Sequence, residues 1–108
     1  MARPYVADIA GGTATVTIQI QGSQTLRNWS VTALNAAAGK IELSTSPTSQ
    51  IGTAQPDTSV VARISLGSAA AGNASVMMVI PINLPVKAFQ NVYVHCTGAG
   101  NLGTSVLY

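Results

Sequence analysis

The segment from Thr13 to Ile20 alternates polar and aliphatic residues, and this period of two constrains the fold more than any other feature. Successive side chains of a β-strand point to opposite faces, so alternation over eight residues predicts a strand with one buried and one wet face. The expected buried side consists of Ala14, Val16, Ile18 and Ile20. The polar side is largely threonine, whose β-branched side chain suits a strand.

Comparable runs recur along the whole chain, whereas signals for helices are nearly absent. The predicted strands after the first are Leu26–Leu34, Lys40–Ser44, Val60–Leu66, Ser75–Ile82, Phe89–Thr97 and Thr104–Tyr108. The alanine-rich pieces Asn35–Ala38 and Ser68–Ala71 are each followed at once by glycine. Isolated helices that short are unstable, so we interpret both pieces as connections.

Seven or eight short strands without helices predict an all-β, two-sheet antiparallel sandwich. We expect a jelly roll, the eight-stranded form, with an immunoglobulin-like sandwich as the alternative. The length of 108 residues fits a single domain spanning 1–108. Within it, residues 1–10 form either the first strand of that sandwich or an N-terminal arm that adds to a partner's sheet.

Alternation also predicts which side chains enter the core. Trp29, Val31 and Ala33 share one face of their strand, and Ile41 and Leu43 share one face of the next. The opposite, solvent-facing side is expected to carry Lys40, Glu42 and Arg63.

The run Ser75–Ile82 is apolar on both faces, so we expect it to be central or covered on both sides. Pro81 cannot donate a ladder hydrogen bond, which makes the end of this run an edge or its terminus. The following Ile82–Pro85 is expected to be an extended connection, because a residue before proline avoids the helical region.

Charged residues make up 7% of the chain, against about 25% in typical proteins. The five Lys and Arg residues are dispersed, which argues against a nucleic-acid-binding stripe. No apolar run approaches the length of a membrane span, and the N-terminus lacks the apolar stretch of a signal peptide. A free β-sandwich normally uses charges to protect its edges, so few charges indicate a surface covered by neighbours. The alternative is a monomer with a hydroxyl-rich surface.

The residues predict no enzyme. Only Asp8, Glu42 and Asp57 are acidic, and each is expected to be solvated or in a turn. Cys96 follows His95 directly, so in a strand the two side chains point to opposite faces and form a poor nucleophile–base pair. We expect Cys96 to be buried as a small apolar residue and His95 to lie with Tyr93 on an exposed strand face.

The sequence also argues against a zinc site and against a dinucleotide site. One histidine and one cysteine cannot form a tetrahedral zinc site in a single chain, so no metal or cofactor is predicted. Gly98–Gly103 matches the pattern G-x-G-x-x-G, but a dinucleotide site needs a helix to follow it, and here a strand follows. We therefore interpret this segment as a glycine-rich hairpin.

Three segments resemble a known class of proteins: Gly11–Val16, Leu26–Val31 and Val92–Asn101. In style and length the chain is similar to the small β-sandwich capsid decoration, or cement, proteins of tailed bacteriophages. The resemblance implies a location on the outer capsid surface of a virion, binding to the major capsid protein, and assembly as a homotrimer or another homo-oligomer. It implies no catalytic residue, nucleic-acid partner or membrane.

The residues that we expect to contact a partner are Arg3, Tyr5, Tyr93, His95 and Tyr108. An alternative function keeps the chain in the virion but places it in the tail or a fibre, where it binds a carbohydrate. That alternative would use exposed aromatic side chains, among which Tyr93 and Tyr108 are the candidates.

Overall fold

The computed structural model describes residues 4–9, 15–34, 39–65, 76–97 and 102–108. They form eight strands and no helix. The strands are β1 (Tyr5–Ile9), β2 (Thr15–Gln19), β3 (Gln24–Leu34), β4 (Lys40–Ser44), β5 (Val60–Ser65), β6 (Val76–Val86), β7 (Asn91–Thr97) and β8 (Leu102–Leu107).

The strands build two antiparallel sheets, in the orders β1-β8-β3-β6 and β2-β7-β4-β5, which we call the first and the second sheet. The predicted all-β, two-sheet antiparallel sandwich is therefore confirmed. Each strand of the first half pairs with a strand of the second half in mirror order: β1 with β8, β2 with β7, β3 with β6 and β4 with β5. Among these strands only β4 and β5 are consecutive neighbours within one sheet, so every other connection crosses between the sheets.

The core lies between the sheets and is built from the inward positions that alternation predicts. Trp29, Val31 and Ala33 of β3 are buried, as are Ile41 and Leu43 of β4. Trp29 is fully enclosed, and its indole Nε1–H donates to Ser105 Oγ on β8 at 2.6 Å. This bond satisfies two polar groups that would otherwise be costly to bury.

Residues 5–9 form the first strand of their own sandwich. Tyr5–Ile9 runs antiparallel to β8, with Tyr5 opposite Leu107 and Ile9 opposite Gly103. Pairing within the chain is therefore shown for residues 5–9, whereas residues 1–3 and 10 of the segment lie outside the described residues.

The expectation that Ser75–Ile82 is central or covered on both sides is wrong. β6 is an edge strand of the first sheet, and the side chains of Met77 and Val79 are 77% and 56% exposed. The expected connection Ile82–Pro85 is also wrong, because β6 continues through it to Val86. The physical reason is that Pro81 has no backbone N–H to donate, so a strand that contains it is suited to pairing on one side only.

The expected glycine-rich hairpin at Gly98–Gly103 is wrong as well. β7 belongs to the second sheet and β8 to the first, so the two strands do not pair and their connection crosses the sandwich. Residues 98–101 lie outside the described residues. Gly103 itself has a packing role, since a Cβ built on it would lie 1.9 Å from the carbonyl oxygen of Thr32.

Replacing Gly103 with alanine should therefore destabilise the fold by roughly 2–4 kcal/mol, because the added methyl meets rigid strand backbone. Urea unfolding followed by Trp29 fluorescence measures the effect. Gly52→Ala is the matched control, since a Cβ there has nothing within 4 Å. It should change the free energy of unfolding by at most about 0.5 kcal/mol. Equal stability of the two variants would contradict the close approach of β8 to β3.

Candidate functional site

A row of polar residues crosses the outer face of the second sheet. The register places Thr15 of β2 opposite His95 of β7, His95 opposite Glu42 of β4, and Glu42 opposite Arg63 of β5. The loop between β4 and β5, residues 45–59, hydrogen-bonds to this row. The row therefore supports a fixed loop on this face.

Glu42 was expected to be solvated, and that expectation is wrong because its side chain is fully buried. Arg63 Nε donates to Glu42 Oε2 at 3.2 Å, and the Gln50 backbone N–H donates to Oε1 at 3.1 Å. Both carboxylate oxygens thus have a partner, as a buried charge requires. The Arg63 guanidinium also donates to the carbonyl oxygens of Thr53 and Gln50, which ties the ion pair to the loop.

His95 was expected on an exposed face, and this is also wrong, since it is fully buried on the outer side of β7. Its Nε2 lies 2.9 Å from the Ser46 carbonyl oxygen and its Nδ1 lies 3.0 Å from Thr15 Oγ1. A carbonyl oxygen only accepts, so Nε2 carries a proton, and in the neutral ring Nδ1 accepts from the threonine hydroxyl. The half-buried ring of Tyr93 lies nearly parallel to it, 6.1 Å away between centroids. In the free chain His95 is a structural residue.

The loop over this row is held by its own side chains. Gln50 Nε2 donates to Asp57 Oδ1 at 2.9 Å, and the Asp57 backbone N–H donates to Gln50 Oε1 at 2.9 Å. Ser59 donates to the same Asp57 oxygen through its hydroxyl and its N–H. The hydrogen bonds from the Gln50 and Ser59 side chains hold the pKa of Asp57 below its ordinary value, which favours the ionised form that the loop uses.

The outer face of the first sheet has a different chemistry. One row runs from Val6 through Val106 and Ser30 to Val79, and the exposed side chains at its two ends are 60% and 56% accessible. The adjacent row consists of Asp8, Thr104, Thr32 and Met77. Among these positions Asp8 carries the one charge, and Thr104 Oγ1 donates to it at 3.2 Å. We call these eight residues the apolar face.

The other expected contact residues are scattered. Arg3 lies outside the described residues. Tyr5 is half-buried at the start of β1, where its hydroxyl oxygen accepts from Gln24 Nε2 at 2.7 Å and from the Gln21 N–H at 3.2 Å. Tyr108 is partly exposed beside β3, with its backbone paired to Asn28. Tyr93 is on the second sheet, so the structure does not gather the predicted residues into one site.

Sequence reasoning missed two sets of exposed apolar side chains. The first is Met77 and Val79 on β6; the absence of any charge between Val76 and Val86 was the available signal. The second is Phe89, which was placed in a strand but sits exposed in the turn before β7 with φ of 65°. A bulky residue pays a conformational cost in this left-handed region.

A pocket of about 230 Å³ opens beside β4 and β5, lined in part by Lys40, Ile51 and Arg63. It is smaller than the roughly 300–1,000 Å³ of typical small-molecule sites. The Arg63 guanidinium is already bonded to Glu42 and the loop. The pocket therefore gives no basis for assigning a ligand.

Comparisons of the chain with protein-family models, curated proteins and solved structures each found no match. Within the described ranges, no group of three or more His, Cys, Asp or Glu side chains could hold a metal ion. The same part of the chain has no helix long and apolar enough to cross a membrane.

Cys96 is buried in the core, in phase with Val92 and Val94, as alternation predicts. Burial raises the pKa of its thiol to about 11. The thiolate, the reactive form, is therefore scarce at neutral pH.

Arg63→Ala should leave the buried Glu42 carboxylate without its cation and destabilise the fold by roughly 2–4 kcal/mol, at the lower end because Arg63 is partly exposed. The loop 45–59 should also become sensitive to limited proteolysis. Arg27→Ala, which removes an exposed cation on β3, is the control and should leave both measurements unchanged. A stable variant with a protected loop would contradict the role of the ion pair.

Raising the pH should destabilise the protein through Cys96. The unfolded thiol ionises near pH 9.0, while the folded thiol keeps its proton until about 11, so stability is full below the first value and falls between the two. The loss should reach roughly 1.4 kcal/mol at pH 10. Urea unfolding of Cys96→Ala gives the comparison, because the variant keeps every other titrating group and should show a shallower pH dependence. If the free energy of unfolding fell equally with pH in both proteins, a buried Cys96 thiol would be contradicted.

Proposed function

We propose that this chain is a non-enzymatic structural protein of a virion that decorates the outer capsid surface and stabilises it by binding the major capsid protein. In this proposal copies of the chain associate as a homotrimer or another homo-oligomer. The observation that carries it is the apolar face, a four-stranded surface with a single charge.

The strand order supports the jelly-roll alternative for the fold. Mirror-order pairing of the two chain halves is what results when one long hairpin of strands is wrapped into two sheets. An immunoglobulin-type sandwich instead pairs consecutive strands within a sheet more than once. Jelly rolls are used widely in viral capsids, which is an analogy of fold and not of site.

The composition of the apolar face supports docking on another protein. Burying Val6, Val79 and Met77 against a partner removes exposed apolar area from water, at about 25 cal/mol per Å². Threonine and serine between them offer hydrogen bonds without the desolvation cost of charges. Such an interface depends weakly on salt.

The physics of capsid reinforcement fits a small domain of this kind. A protein that binds only the assembled lattice adds its binding free energy to lattice stability by mass action. Many copies, each bridging subunits, multiply a modest interface through avidity. The resemblance of Gly11–Val16, Leu26–Val31 and Val92–Asn101 to capsid decoration proteins supports the same function.

No observation favours the tail or fibre alternative with carbohydrate binding. Its candidate aromatics, Tyr93 and Tyr108, are on different sheets, and Tyr93 is half-buried against His95. Trp29, the largest aromatic, is in the core. These side chains do not form one platform for stacking against a sugar.

Particles assembled without this chain should release their genome at a lower temperature than complete particles, and adding the purified protein should restore the difference. A genome-release assay with a nucleic-acid dye during heating measures this. Unchanged heat resistance of the particles, or imaging that finds the chain on the tail, would contradict the proposal.

A pair of threonine variants tests the surface. Thr32→Lys places a cation in the middle of the apolar face and should weaken binding to particles roughly tenfold or more. Thr17→Lys places the same charge on β2, on the outer face of the second sheet, and should bind as the unmodified chain does. Equal binding by both variants would exclude the apolar face as the docking surface.

A further inference from the structure

No strand of the described residues pairs with the outer edge of β6, and the positions whose backbone N–H and C=O groups point to that edge follow from the register. The N–H and C=O of Asn28 both bond to Tyr108 of β8, so they face away from β6. Asn28 lies opposite Pro81. In an antiparallel pair, two directly opposed residues point their backbone N–H and C=O groups either both toward each other or both away from each other. The carbonyl of Pro81 therefore faces the open edge, and by alternation so do the N–H and C=O groups of Met77 and Val79.

This edge lacks the usual protection against strand addition over its first half. Natural edge strands carry charges, prolines or bulges that prevent pairing with another chain. β6 has no charged residue from Val76 to Val86, and its first proline is Pro81. Met77 and Val79 combine free backbone groups with the exposed side chains already described, and Met78 between them is 40% exposed.

We propose that β6 is a self-association surface, in which the Val76–Ile80 edge pairs antiparallel with the same edge of a second copy about a two-fold axis at Met78. In this register Met77 lies opposite Val79 of the second copy, and the N–H and C=O of each find partners. Apolar side chains then meet apolar side chains across the strands. Pro81 cannot extend the ladder, which fixes its length and centre.

The absence of charged residues on β6 favours a second copy of the chain as its pairing partner, and it favours β6 over β1 as the edge that pairs. A two-fold pairing always sets a strand against its own charge pattern, so a neutral strand pairs without repulsion, whereas a charged one does not. The opposite edge of the same sheet, β1, carries Asp8. Pairing β1 with itself about Ala7 would press each carboxylate against Val6 of the second copy, which costs desolvation.

The pairing joins the two first sheets into one continuous sheet and extends the apolar face across both copies. It is closed by the two-fold axis, so it makes a dimer and not the trimer expected from the resemblance. The inference rests on the self-association included in the proposed function, but it makes no use of a capsid.

Single cysteines test the register directly. Met78→Cys should form a disulfide-linked dimer under mild oxidation, because Met78 faces its own copy across the two-fold axis at a Cα separation of about 4.5 Å. Met77→Cys is the matched control: it is more exposed, but its copy lies diagonally, beyond disulfide reach. Random collision would link the more exposed cysteine better. Equal or stronger linking of Met77→Cys would overturn the proposed register. Cys96 is buried in both variants.

Sedimentation of the purified chain across the micromolar range gives the second measurement. The unmodified protein should form a dimer, and Val79→Lys should weaken dimerisation roughly tenfold or more. Val6→Lys puts the same charge in the same row at the opposite edge and should still dimerise. A monomeric chain would overturn the inference while leaving particle binding to be judged separately. An oligomer that Val79→Lys does not disrupt would overturn β6 as the interface while keeping self-association.

Discussion

The mirror-order pairing of the two halves of the chain is the constraint on which the rest of the structure depends. β1 obtains its hydrogen bonds from β8, the last strand, and β3 is held between β8 and β6. Nearly all of these pairings join residues far apart in sequence, so loop-closure entropy must be lost before they form. β1 and β8 are therefore both structural: without residues 102–108, β1 and one side of β3 would lose their partners.

The outer faces of the two sheets differ in chemistry and in burial. On the second sheet a fully buried carboxylate, Glu42, is balanced by Arg63 and by the Gln50 N–H, and His95 bonds the loop at Ser46. A buried carboxylate is tolerated only with such partners. The outer face of the second sheet therefore binds the loop of residues 45–59. On the outer face of the first sheet, by contrast, the side chains of Val6, Val79 and Met77 are exposed.

The same contrast holds for the edges of the first sheet. β1 carries Asp8 on its exposed side, whereas β6 has no charge and is interrupted by Pro81, by Pro85 and by a shift in its register with β3 between Leu26 and Asn28. An uncharged, exposed edge costs a free protein solubility and specificity. In the assembly that we propose, this edge would be covered and that cost avoided, and the low charge content of the whole chain fits the same proposal.

Periodicity alone determined the fold class and the inward residues, including Trp29, Ile41 and Cys96, because alternation is a local property of an extended chain. It could not assign the outward residues. Glu42 and His95 occupy positions that alternation predicts to be wet, and only the loop folding back over them makes them buried. It also could not place β6 at an edge or β7 and β8 in different sheets, since an apolar run looks the same at the centre or the edge of a sheet. Strand order comes from long-range pairing, and only the tertiary structure decided it.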